Sequence, residues 1–495
     1  MIQNMGISIV KKIFTLNFIA LGLFASVEHS NDPTRQVDAT IDFTQTLQEW
    51  DGFGVNYVEL AQSTDYENDP QEYGGFSLLS EEERDEVIEL IFGEDGLKPS
   101  IVKMFYDPFH QEVPGGPFDH ETTTRWMRYF VHKGIAKTKE RGGDEISIIS
   151  TLYGPPAWAT KQKILRGRDL DPEQFENLAK YMIAWGKFLV EKEKLPLKYL
   201  SLHNEGDCVN GWPLDGSHGS IGKGNHHDYN AFWRPTQVAH FLEFMPPMMK
   251  AAGLDVGLTP GECATWNKFE NHYYHWAIHD NDAAMENISL ITSHSFDWPK
   301  PLTTKPIDLL RLKRPDLHAW TTSMTWGNMH TQKNYDFVLQ MILNIYEAKV
   351  NAIIPWACIQ TATWETGDPN PHTAFFVSEK GDYEIRPQYY FYKQLTRAGQ
   401  KGMKVAKVSS NNSRVKLAAF SSNNTAHPDA FLVMNMESEP IAVNLKITGN
   451  ASSYEAFRTS HDEQYAPLRV QEIQDNKLSY SAPAGSITTF FAKNK

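Results

Sequence analysis

Tyr199-Leu200-Ser201-Leu202-His203-Asn204-Glu205-Gly206-Asp207 runs from an apolar, strand-forming segment straight into polar and charged side chains. A strand buried on both faces that ends abruptly in such a cluster is what a parallel barrel presents at the carboxyl end of its sheet. Seven other short runs share the texture. Three precede it, at Gly52–Asn56, Ser100–Phe105 and Ile146–Thr151. Four follow, at Asp255–Thr259, Ser289–His294, His318–Thr322 and Asn351–Trp356. Between them lie segments with helical apolar spacing, clearest over Glu81–Phe92, Phe175–Glu193 and Tyr335–Ala348. Eight strands alternating with helices predict an α/β chain whose residues 51–395 form a (β/α)8 TIM barrel.

From about Thr396 the helical period stops. Runs such as Val415–Phe420, Ala430–Asn435 and Ala442–Ile447 alternate with Asn-, Ser- and Gly-rich turns. Residues 396–495 therefore read as a C-terminal β-sandwich. The alternating segment at 37–50, before the barrel, is expected to pair with that sandwich. Residues 1–26 read as a secretory signal peptide: Lys11 and Lys12 precede a short apolar run that closes on Ala25 and Ser26. The run is short for a spanning helix, although an uncleaved anchor is the alternative. Residues 27–36 form a polar linker, and no later stretch predicts a membrane span, so the expected location is secreted or periplasmic.

The 495 residues carry 47 Lys and Arg against 61 Asp and Glu, a formal net charge of −14. That balance argues against a nucleic-acid binder, which needs a basic face for phosphates. The three cysteines, Cys208, Cys263 and Cys358, show no metal-knuckle or CxxC spacing and read as free thiols. The stretch Gly219-Ser220-Ile221-Gly222-Lys223-Gly224 lacks the Ser or Thr of a phosphate loop. Adjacent His226 and His227 are poorly placed to face one metal. The whole of 206–233 reads as a long loop over the barrel mouth.

Asn204-Glu205 stands where a carboxyl would project into that mouth. Cleavage of a glycosidic bond needs a carboxylic acid to protonate the leaving oxygen, and a neighbouring amide can hold a sugar hydroxyl. The chain resembles the clan A glycoside hydrolases, and within them family 30, the glucosylceramidase, β-xylosidase and xylanase group. Five stretches carry the resemblance: Thr46–Gly54, Tyr153-Gly154-Pro155-Pro156-Ala157-Trp158, His203-Asn204-Glu205, Ile354-Pro355-Trp356, and Arg386-Pro387-Gln388-Tyr389-Tyr390 onward to Gly399. It implies Glu205 as proton donor and a retaining mechanism on β-linked glycans. The expected partner is a carbohydrate substrate, and no cofactor or metal is expected.

The resemblance fails at the second carboxyl. The clan's nucleophile ends the seventh barrel strand, where this chain reads Trp320-Thr321-Thr322-Ser323-Met324. Ser323 occupies that position and lacks the charge that stabilises an oxocarbenium-like transition state. Phe296 stands where many clan members place a Tyr that bonds the nucleophile, and Lys103 stands where family 30 often has Arg. Either another carboxylate at the mouth has taken over, or the cleft binds glycan without cutting it. Glu262, Asp297 and Glu365 are the candidates, and a displaced carboxylate could give inversion. Asn204, Lys103, His294, Trp158, Trp326 and Trp356 are expected to contact substrate, with Trp298 and Trp364 at the same rim. A metal-dependent barrel hydrolase is the outside alternative, in which His203 and His294 would supply two ligands.

Overall fold

A computed structural model describes residues 36–57, 75–207, 214, 230–296, 302–327, 335–361, 372–378 and 380–493. Gln36–Lys495 form one unit. The signal-peptide reading, Cys208, the two rejected loop motifs, Asp297, Trp298, Trp364 and Glu365 lie outside the described residues.

The barrel is built from β2 (Gly52–Asn56), β3 (Ile101–Tyr106), β4 (Ser147–Leu152), β5 (Leu197–Ser201), β6 (Gly257–Thr259), β7 (Ile291–Ser293), β8 (Ala319–Thr321) and β9 (Ala352–Ile353). They follow β1 (Gln36–Glu49). The eight are parallel and ordered β6-β5-β4-β3-β2-β9-β8-β7. The two ends of that order meet through a bridge between Leu258 and Ile288, which closes the ring. The helices include α1 (Glu81–Phe92), α2 (Arg125–Glu140), α3 (Phe175–Lys187) and α4 (Pro235–Ala251). Short α5 (Trp266–Asn271), α6 (Tyr274–His279) and α7 (Asp282–Asn287) separate β6 from β7. Then come α8 (Lys305–Lys313), α9 (Asp336–Tyr346) and α10 (Pro387–Ala398). Ser80 and Glu83 form a capping box that fixes the start of α1. No helix among the described residues is long and apolar enough to cross a membrane.

The two-residue side-chain period of a strand sets the contents of the barrel. Ile101, Ile149, Tyr199, Leu290, Trp320, Ala352 and Ile354 form an apolar floor. Two residues on from Ile101 and Ile149 stand Lys103 and Thr151, whose side chains meet on Glu262. Two further on, Phe105 and Tyr153 pack edge to face, 5.2 Å between ring centres, beside Trp356 and Ala357. The charged cluster thus lies between an apolar floor and an aromatic rim.

Sequence reading missed a small sheet after the barrel, in which β10 (Ile359–Thr361), β11 (Phe375–Val377) and β12 (Tyr383–Ile385) pair in that order. The C-terminal strands are β13 (Lys404–Ser410), β14 (Val415–Ser421), β15 (Ala430–Asn435), β16 (Ile441–Thr448), β17 (Ser453–Thr459), β18 (Ala466–Pro467), β19 (Gln471–Glu472), β20 (Lys477–Ala482) and β21 (Ser486–Lys493). With β1 they form a ten-stranded, mostly antiparallel sheet. β1 lies antiparallel to β13 and parallel to β16. The ring of Tyr480 on β20 meets that of Phe490 on β21 at 5.2 Å, across the sandwich core that contains Val37, Ile41 and Phe431. Trp50, Phe53, Tyr392 and Phe420 join this domain to the barrel, and the Tyr392 hydroxyl donates to the Gly54 carbonyl at 2.6 Å.

Candidate active site

The ends of β5 and β6 continue past the sheet as one further bridge, Asn204 to Glu262. The Glu262 N–H donates to the His203 carbonyl at 2.8 Å, and the Glu205 N–H donates to the Glu262 carbonyl at 2.7 Å. This locks Glu205 at φ 50°, in the left-handed region that a residue with a Cβ rarely adopts. Backbone strain of that kind persists where surrounding bonds enforce it, and it clusters at working sites. Opposite the bridge, Gly261 has φ +88°, and a Cβ there would lie 2.3 Å from the His203 ring. Only glycine fits.

Five side chains converge above the barrel floor. The Lys103 ammonium donates to Glu262 Oε2 at 2.5 Å and to the Thr322 carbonyl at 3.2 Å. The Thr151 hydroxyl donates to Glu262 Oε1 at 2.8 Å. His294 lies between two carboxylates, with Nε2 at 3.0 Å from Glu262 Oε2 and Nδ1 at 3.0 Å from Glu205 Oε1. Lys103, Glu262 and His294 are almost wholly buried, whereas the Glu205 side chain remains 28% exposed. Phe296 presses edge-on against His294 at 5.4 Å.

The electrostatics follow from these contacts. Burial alone would raise the Glu262 carboxyl, but the charge of Lys103 and the bond from His294 outweigh it and bring it down to about 2. Burial and the Lys103 charge oppose protonation of His294, yet its bonds to Glu205 and Glu262 carry the net shift upward. An imidazolium donates to both carboxylates at once, and its Nδ1 proton faces the one that is accessible. The imidazole can thus store a proton for Glu205. His203 is the opposite case: burial pushes it down to about 3. Its Nδ1 accepts from the Gly206 N–H at 3.1 Å, so its proton sits on Nε2.

The structure revises several sequence expectations. Glu262 is fully buried and engaged at both oxygens, by Lys103 and His294 at one and by Thr151 at the other. Lys103 is likewise fully buried. Trp326 is 1% exposed and packs on Phe337 and Tyr392, with its indole N–H on the Trp356 carbonyl. It is a core residue and offers no face to a sugar. Trp158 is 9% exposed, packs on Tyr181 and donates to the Gln111 carbonyl at 3.1 Å. Trp356 is only partly buried and keeps a place beside Phe105 at the rim.

Asn204 is 2% exposed and adjoins Glu205, its N–H donating to the Leu152 carbonyl at 3.0 Å. Ser323 is fully buried, and its hydroxyl has no hydrogen-bond partner among the described residues. Its carbonyl accepts from the Ser295 N–H at 2.9 Å, and Lys103 bonds the carbonyl of the residue before it. The Ser323 backbone thus borders the charged cluster. Both ring nitrogens of His294 face carboxylates, so His294 does not converge with His203 on a metal. No group of three metal-ligating side chains occurs among the described residues. Reading outward from Lys103, sequence analysis overlooked Thr151, although its spacing from Ile149 marks it as inward-facing.

No family sequence model and no curated protein matches the chain. Solved structures do. A family 30 glycoside hydrolase endoxylanase from Clostridium papyrosolvens C71 is 17% identical, with 92% of this chain and 100% of that chain covered and a TM-score of 0.67. An endo-β1,6-glucanase is 14% identical over 92% of this chain and 94% of its own, with a TM-score of 0.66. A conserved exported protein from Bacteroides fragilis is 12% identical over 91% and 99%, with a TM-score of 0.68. At these identities the likeness is one of fold: a TIM barrel with a C-terminal sandwich, shared with family 30 xylanases and related glycoside hydrolases.

Proposed function

We propose that the chain is an exported glycoside hydrolase acting on β-linked glycans, with Glu205 as proton donor. The observation that carries this reading is the environment of Glu205. It is the accessible carboxylate of the charged cluster, held by a strained strand end and bonded to the His294 imidazole. A general acid must be reprotonated after each turnover, and His294 provides the route. Lys103 and Glu262 neutralise each other beneath it and fix the imidazole in place.

Cleavage also requires a second group. Ser323 has no charge and Glu262 has no access, so Asp297 or Glu365 would activate the attacking water. A carboxylate that works through water gives inversion of the anomeric centre. The decisive experiment incubates the purified protein with a panel of β-glycans and follows the product anomers by NMR. Release of the α-anomer supports this assignment. Release of the β-anomer restores a double displacement and removes the argument from Ser323. A second reading, glycan binding without cleavage, is favoured by the joint presence of Ser323 and Phe296. Binding with no product from any glycan would select it.

A further inference from the structure

The two peptide groups that flank the Glu205 Cα, which sits at φ 50°, are each fixed by one hydrogen bond. The peptide before it is fixed by the Glu262 carbonyl, which accepts the Glu205 N–H at 2.7 Å. The peptide after it carries the Gly206 N–H, which donates to His203 Nδ1 at 3.1 Å. Because peptide groups are planar, the first bond sets φ of Glu205 and the second sets ψ. The Gly206 carbonyl is held in turn by the Trp233 N–H at 2.8 Å and the Tyr274 hydroxyl at 3.3 Å. Gly206 fills a slot between two rings: a Cβ there would stand 2.8 Å from the Trp233 indole and 3.0 Å from His203 Nδ1.

His203 is 2% exposed and packs against Trp233 and Tyr274, with ring centres 5.5 and 6.1 Å away. Its Nε2 is buried without a hydrogen-bond partner among the described residues. Burying an N–H in that way is unfavourable, and an apolar side chain would pack against the same two rings without it. What the imidazole adds is one lone pair, on Nδ1, aimed at the Gly206 N–H. Burial pushes the ring down to about 3, so at every pH above that the lone pair is free to accept.

We infer that His203 is a positioning residue for Glu205: its Nδ1 fixes the peptide after Glu205 and so keeps the carboxyl against His294 and open to solvent. Without that bond ψ is free to relax towards the ordinary regions that a residue with a Cβ prefers, and the carboxyl moves with it. A displacement of about 1 Å in a reacting group can cost on the order of 10²-fold in rate. His203 acts only through Glu205. That Glu205 gives a proton rests on the function proposed above, whereas the clamp on its backbone does not.

The test compares wild type with His203→Leu and His203→Asn in the full chain. All three side chains branch at Cγ. Asn offers Oδ1 where His has Nδ1 and can still accept from Gly206, whereas Leu offers a methyl group. His203→Leu removes one unpartnered N–H and creates another, so Tm is expected to shift by no more than about 3 °C. Amide exchange at Gly206, read by mass spectrometry, is expected to accelerate about tenfold or more in His203→Leu and to stay near wild type in His203→Asn. Turnover of unactivated β-glycan is expected to fall about 10²-fold in His203→Leu and to be largely restored in His203→Asn. A dinitrophenyl glycoside, whose leaving group needs no proton, is expected to lose less than about threefold in His203→Leu. Three results would overturn the inference: unchanged Gly206 exchange in His203→Leu, equal losses in the Leu and Asn variants, or a loss on the dinitrophenyl glycoside as large as on the glycan. A wild type that hydrolyses no glycan would count against the proposed function instead, and exchange at Gly206 would then decide the role of His203 alone.

Discussion

Replacing Lys103 with Met removes one partner of an ion pair that is 0% exposed on both sides and 2.5 Å long. The new side chain fills a similar volume, so the effect is electrostatic. Glu262 then keeps a buried charge with only Thr151 and His294 to answer it. Leaving one member of a buried pair alone costs about 3–5 kcal/mol, against a total stability on the order of 5–15 kcal/mol. For a unit of this length that lowers Tm by roughly 3–5 °C. The cost depends on pH, and its sign is fixed. In the wild type Glu262 sits at about 2, below its ordinary value of 4.5. It therefore contributes stability above pH 4.5, which is lost as the pH falls towards 2. In Lys103→Met the carboxyl moves up instead, and the variant loses stability as the pH rises. The gap between the two is widest near neutrality and closes towards pH 2. Adding Glu262→Gln to Lys103→Met should recover much of the loss, so the double change costs less than the two singles combined. Urea titrations of all four proteins between pH 3 and 8 measure this. A Lys103→Met cost below about 1 kcal/mol at pH 7 that is flat with pH, or strict additivity, would refute the ion-pair account.

Glu205→Gln should lower activity on unactivated glycosides by about 10²–10⁴-fold while moving Tm little, because the amide keeps the shape and cannot give a proton; rates on a glycan panel, with thermal melts, check both. Alanine at Asp297 or at Glu365 should abolish hydrolysis at whichever site activates the water, and Ser323→Ala should leave it within a few-fold, as steady-state kinetics will show. Ser323→Glu with Phe296→Tyr should create retaining activity on aryl β-glycosides above that of Ser323→Glu alone, since the Tyr hydroxyl can orient the new carboxylate; NMR of the first-formed anomer reads the outcome, and no gain in either variant would remove Ser323 from the nucleophile position.

Much of this architecture is written in short-range pattern. The eight barrel strands are readable because each is a brief apolar run bounded by helical spacing. The polar residues at the end of β5 are readable because a buried strand has no other reason to finish in His-Asn-Glu. Even the inward direction of Lys103 follows from Ile101 and Phe105 on either side of it. What sequence could not supply is burial and partnership between distant segments. Trp326 and Trp356 share the same strand-end setting, yet Phe337 and Tyr392 bury the first and leave the second at the rim. Glu262 has the composition of a catalytic carboxylate. Lys103 lies 159 residues away and Thr151 lies 111 away, and together they turn it into a fixed counter-charge. The left-handed turn at Glu205 is likewise invisible in a chain that has no glycine there, because it is imposed by the bonds to β6.

These long-range contacts also set how the buried charges of the site balance. A buried cation on β3 must have an anion near it, because a solitary buried charge is too costly to keep. With Ser at 323 the end of the seventh barrel strand meets Lys103 through the Thr322 carbonyl. The anion comes instead from Glu262 on the neighbouring side of the ring, and His294 ties that anion to Glu205. Glu262 is therefore the counter-charge that the uncharged Ser323 does not provide. It follows that Ser323→Glu must compete with Glu262 for a single ammonium. For that reason Ser323→Glu combined with Glu262→Gln should be more stable than Ser323→Glu alone, an ordering that melts at pH 7 would reverse if the two positions were independent.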